Sequence, residues 1–241
     1  MNQHEIKDSL EDFLEDDILL FQEIFMSITI YDKFFASSQY INFYPYIGEG
    51  YSSSQHKILM LGESHYGKKS NEFYHGWTRD VVENDFLDNY DKGKTLPEWA
   101  ECHRNAANAL VSVRGANPHE IYDKIAFYNF FQRRIGDGNH ADKSFLTANL
   151  KVLSAKALAE VMEILRPDLI VGWGWTLESD YLPASKKIIE IKRGLAGVNL
   201  HLFTLDGFPQ IPIWCMHHPS VGFGIEAHRA CFAEIKKFLN W

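Results

Sequence analysis

The sequence predicts an α/β protein with a mostly parallel sheet covered by helices on both faces. Two observations lead there. Short apolar runs, Lys57 to Leu61, Ile125 to Tyr128 and Leu169 to Val171, alternate with longer stretches whose apolar residues recur at helical spacing. Each run is closed by a residue that ends strands: Gly62, Asn129 and Gly172. The 241 residues, 46% of them hydrophobic, can bury one sizeable core, and we expect a single domain over residues 1–241.

The elements follow in chain order. Glu5 to Ile28 carries Leu10, Phe13, Leu14, Ile18, Leu19 and Phe25 near helical spacing, with acids between them. Residues 1–43 are therefore expected as a helical extension packed on the domain. Gly48, Gly50 and Ser52 to Ser54 form a loop into the Lys57–Leu61 strand. Trp99 to Val113 reads as an alanine-rich helix, and Ser154 to Leu165 as another, stopped by Pro167. Asn199 to Leu205 and Ile213 to Met216 are further strands, and Ile225 to Leu239 is a C-terminal helix. In a parallel sheet, ligands bind outside the carboxyl ends of the strands. Polar residues cluster at four such ends: Gly62-Glu63-Ser64-His65, Asn129, Gly172-Trp173-Gly174 and His217-His218-Pro219-Ser220.

Composition narrows the chemistry. The net charge of -8 counts against generic, high-affinity duplex binding, which needs Lys and Arg to neutralise phosphates. Lys68/Lys69, Arg133/Arg134 and Lys186/Lys187 remain candidate basic patches. No apolar run approaches the ~20 residues of a membrane span, and Met1 to Asp17 is acidic rather than signal-like. Cys102, Cys215 and Cys231 form no CxxC pair, and no HxxxH spacing occurs in the motifs, so neither a metal nor another cofactor is expected. A reduced, cytoplasmic compartment fits this cysteine usage.

At the strand ends, Glu63 can act as a general base and His218 as a donor to a developing anion. Asn129 offers a planar amide suited to a nucleobase edge, and Tyr66, Phe127 or the Phe73-Tyr74 pair can stack on a flat ring.

Gly62-Glu63-Ser64-His65-Tyr66-Gly67 after a strand resembles the first motif of the uracil-DNA glycosylase superfamily, written GQDPYHG in one branch and GEAPG in the iron–sulfur branch. His218-Pro219-Ser220 resembles its second motif, HPS. Asn129, after Ile125-Ala126-Phe127-Tyr128, resembles its base-reading Asn, and the run from Arg166 to Gly174 resembles its third strand. Pro45, Ile47, Gly48 and Tyr51 resemble the opening of a poorly characterised branch carrying GESHY, AFYN and HPS-x-GF.

The resemblance implies a three-layer α/β/α sandwich around a mostly parallel four-stranded sheet. It also implies hydrolysis of the N-glycosidic bond of a base flipped from DNA. Glu63 and His218 would be the catalytic pair. Ser64, His65, Tyr66, Phe127 and Asn129 would hold the base, and Ser220, Phe223 and Lys68 would touch DNA. Ser64 stands where one branch has its catalytic Asp, so water activation would fall to Glu63 and the enzyme would be slow. The implied partner is single- or double-stranded DNA, acted on by a monomer away from membranes. A small heterocyclic ligand bound in the same crevice, with or without catalysis, is the alternative. The LGESHYG stretch also resembles the LGExxHG strand end of erythromycin-esterase-like hydrolases, a reading that leaves Asn129 and His218-Pro219-Ser220 unexplained.

Overall fold

The computed structural model describes residues 30–66, 74–111, 115–136, 143–191, 200–220 and 222–241. The Glu5–Ile28 helix lies outside them, as do Lys68, Lys69, Phe73, Val113 and Val221.

Seven strands form one sheet: β1 (Tyr46–Ile47), β2 (Ile58–Gly62), β3 (Ile125–Asn129), β4 (Leu169–Trp173), β5 (Ser185–Ile191), β6 (Leu200–Leu205) and β7 (Ile213–Met216). Their order is β1-β3-β2-β4-β7-β6-β5. The four central strands, β3, β2, β4 and β7, are parallel neighbours. The expected four-stranded sheet is therefore corrected to seven strands, because antiparallel strands extend both edges. β1 pairs with β3 on one side, while β6 and then β5 add beyond β7 on the other. Of the expected Asn199–Leu205 strand, Leu200–Leu205 forms a strand, an antiparallel one, and Asn199 lies outside the described residues.

Strand alternation sends side chains to two separate cores. Ile58, Met60, Ile125, Phe127 and Val171 pack on one face with Val82 and Phe86 of α2 (residues 77–91), Ala106 of α3 (Glu98–Leu110) and Phe232 of α6 (Ile225–Leu239). Between α2 and α3 in space, the short α4 (His119–Tyr122) contributes buried Tyr122, whose hydroxyl lies 2.7 Å from His103 Nδ1. Leu59, Leu61, Ala126, Tyr128 and Ile170 face the other way, against Leu158, Val161 and Met162 of α5 (Ala148–Leu165) and Phe35 of α1 (residues 30–37). Helices thus cover both faces of the sheet.

Local chemistry sets the ends. The Thr147 hydroxyl accepts from the Leu150 amide at 3.1 Å, which caps α5. Arg166 closes that helix with φ 48°, ahead of Pro167. Asp168 then accepts from the Lys57 amide at 2.8 Å, which ties the starts of β2 and β4 together. Tyr51 is fully buried, and its hydroxyl donates to the Leu165 carbonyl at 3.2 Å, holding the approach to β2 against the end of α5. Among the described residues, no helix is long and apolar enough to cross a membrane.

Candidate active site

Because β3, β2, β4 and β7 are parallel, their carboxyl ends share one edge. From β2 the chain crosses to β3 on one side, whereas β4 lies on the other. The β2 and β4 ends therefore flank the point where connections diverge, which is where open α/β sheets bind ligands. A cavity of about 620 Å³ opens there. Glu63 and Tyr66 from the end of β2, Thr176, Asp180 and Tyr181 from beyond β4, and Lys151 of α5 line it.

Glu63 places a half-buried carboxylate in this cavity. Burial pushes its carboxyl above the usual range, and a hydrogen bond from the Tyr181 hydroxyl offsets part of that rise. The Tyr181 phenol is pushed up to about 12, first by burial and then by the Glu63 charge that it faces. Tyr181 ends a π-helical turn, Leu177–Tyr181, a form often found at functional sites. Phe131 packs edge-on to its ring at 4.9 Å. The Lys151 ammonium sits 5.2 Å from the Tyr181 ring centre and donates to the Asp180 carbonyl at 2.8 Å. The Ser64 hydroxyl is buried without a directed hydrogen-bond partner, with the Tyr66 phenol as its polar neighbour.

A second cluster turns to the α2 side. His65 Nε2 lies 2.9 Å from Thr78 Oγ1, and Asn129 Nδ2 lies 3.1 Å from His65 Nε2. All three side chains are buried. Phe43 packs edge-on to the imidazole at 5.0 Å. Burial, reinforced by Arg134, drops the His65 pKa to about 3, so this ring is neutral. Gly62 makes the packing possible: a Cβ there would meet Asn129 Oδ1 at 2.2 Å and Phe127 Cζ at 3.0 Å. Phe127 is a core residue, 2% exposed and wedged 4.8 Å from His103 and 4.9 Å from Trp173.

Comparison of the chain with protein-family models and with curated proteins finds no match.

The remaining residues stand on a third part of the edge. His218 is exposed beside Gly174, where a Cβ would lie 3.7 Å from His218 Cβ and Cδ2. Desolvation on that flank lowers its pKa. Asn105 of α3 donates to the Pro219 carbonyl at 3.0 Å and pins this turn. The Phe223 amide donates to the Ser220 carbonyl at 3.1 Å, and the Phe223 ring stacks on His228 at 4.0 Å. Among the described residues, no group of three His, Cys, Asp or Glu side chains is arranged to hold a metal.

The structure thus brings Glu63 and Tyr66 together in one cavity. It pairs His65 with Asn129 elsewhere, and it leaves His218 outside the cavity lining. Sequence reading missed Lys151, Thr176, Asp180 and Tyr181. Its strand-end rule stopped at Gly174; carried a few residues further, it reaches Thr176 and the polar Leu177-Glu178-Ser179-Asp180-Tyr181 turn.

Proposed function

We propose that the chain is a uracil-DNA-glycosylase-like hydrolase that cleaves an N-glycosidic bond, with Glu63 as its water-activating carboxylate. The observation that carries this reading is the position of Glu63: a half-buried carboxylate in a cavity at the β2/β4 divergence point, oriented by the Tyr181 hydroxyl. Supporting it, the four parallel central strands are the ones whose ends carry the Gly62–Tyr66, Asn129, Trp173-Gly174 and His218–Ser220 segments.

The chemistry follows from charge. Glycosidic cleavage develops positive charge on the sugar, and a fixed carboxylate stabilises it. The same carboxylate takes the proton of the attacking water. Burial raises its basicity, and the Tyr181 bond fixes its direction. Tyr66 supplies a ring against the heterocycle. Asn129 acts through His65, holding the Gly62–Tyr66 turn in shape. His218 and Ser220 stand at the rim, where the sugar-phosphate chain would pass.

The test is incubation with single- and double-stranded oligonucleotides carrying uracil, hypoxanthine, xanthine or N-alkylated bases, with abasic sites revealed by alkali. Base release with an abasic product is expected. Absence of product on every substrate, with no oligonucleotide binding at low salt, would remove this reading.

A further inference from the structure

Among the described residues, the cavity lining carries two acidic residues, Glu63 and Asp180, and two tyrosines, Tyr66 and Tyr181, against one lysine, Lys151. The Lys151 ammonium is already engaged, over the Tyr181 ring at 5.2 Å and on the Asp180 carbonyl at 2.8 Å. The Tyr181 face therefore accepts a cation in this very structure. Carboxylates beside aromatic rings are the surroundings in which a positively charged flat group binds well. None of His65, His217 and His218 belongs to the lining, so among the described residues no imidazole lines the cavity to stabilise a departing base anion.

We infer that the preferred substrate of this site is an N-glycoside whose heterocycle is already cationic, the class of N-alkylated purines. The inference rests on the hydrolase reading above and names its substrate class. Bond changes balance without an anion-stabilising donor. The C1′–N9 bond breaks and its electron pair returns to the purine, cancelling the positive charge, so the base leaves neutral. Water oxygen bonds to C1′ and Glu63 takes the water proton, which later passes to solvent. A neutral base such as uracil would leave as an anion, and among the described residues Lys151 is the cationic side chain lining the cavity that could meet it.

Lys151 therefore separates the two cases. Excision rates are measured for oligonucleotides carrying 7-methylguanine or uracil, with wild type and Lys151→Met. Binding of free 7-methylguanosine and guanosine is measured by calorimetry with the same proteins and with Glu63→Gln. Expected results are 7-methylguanine excised at least about 10-fold faster than uracil, and Lys151→Met retaining or raising that rate. Uracil excised as fast or faster, with Lys151→Met abolishing it, overturns the substrate class while leaving the hydrolase. No excision of any base, with 7-methylguanosine bound at least about 10-fold tighter than guanosine and released by Glu63→Gln, removes the hydrolase and keeps the cation site. Equal binding of the two nucleosides without excision removes both. The free-nucleoside arm also separates a monomeric source of the cation from an alkylated strand.

Discussion

Glu63 and His65 are two residues apart and meet opposite fates. Glu63 faces the α5 side, in a cavity open to a ligand, with a tyrosine hydroxyl holding its carboxylate. His65 faces the α2 side, sealed between Asn129, Thr78 and Phe43. In a continuing strand, residues i and i+2 would share a face. They do not here because the chain leaves β2 at Gly62 and follows the loop after β3: the Phe131 amide donates to the Glu63 carbonyl at 2.9 Å, and the Ile135 amide to the His65 carbonyl at 3.1 Å. One short motif thus divides into a group that can react and a group that shapes the turn. Perturbing the sealed side should cost stability; perturbing the open side should cost rate.

The largest effect on the sealed side is expected from Gly62→Ala. The new methyl meets Asn129 Oδ1 and the Phe127 ring, so urea unfolding should show a loss of about 3 kcal/mol. Acid comes next. The folded-state pKa of His65 is depressed to about 3, so below the ordinary histidine value the unfolded chain binds a proton that the folded chain refuses. Stability contributed by the neutral ring is therefore complete above about pH 6.5 and is lost as the pH falls from there toward 3. Each such histidine costs about 2 kcal/mol between pH 7 and pH 5, and buried His103, also lowered to about 3, adds its own share. Unfolding of His65→Gln at the two pH values should show about 2 kcal/mol less acid loss than wild type.

Smaller effects sharpen the open side. Tyr181→Phe removes the hydrogen bond that lowers the Glu63 pKa, so the acid limb of kcat/KM should move to higher pH with little change in Tm. Tyr128, on the same face but deep in the core, buries a hydroxyl without a partner. Tyr128→Phe should gain about 1 kcal/mol in urea unfolding and leave the rate unchanged.

The strands that bury both faces were readable from sequence. Ile213–Met216 and the C-terminal helix Ile225–Leu239 match their expected bounds, because continuous apolar runs and helical periodicity report burial directly. The edge strands were not. β1 has two residues, too few to alternate, and the Ser185-Lys186-Lys187 start of β5 is polar because an edge strand faces water. The four polar strand ends were also readable, and the parallel order puts them on one edge. Which face each side chain takes was not readable. The turn after Gly62 depends on contacts with residues 131 and 135, far along the chain, and no local pattern in Gly62–Tyr66 encodes them.

The division between reactive and sealed side chains is tested most directly by Glu63→Gln, assayed by single-turnover base release together with its Tm. The account predicts a rate reduced about 10²–10⁴-fold while Tm stays within a few degrees of wild type, since an isosteric amide keeps the Tyr181 contact and no longer buries a charge. A Glu63→Gln protein that releases base at the wild-type rate, or one that loses rate only because it unfolds, would contradict the assignment of Glu63 as the reactive group.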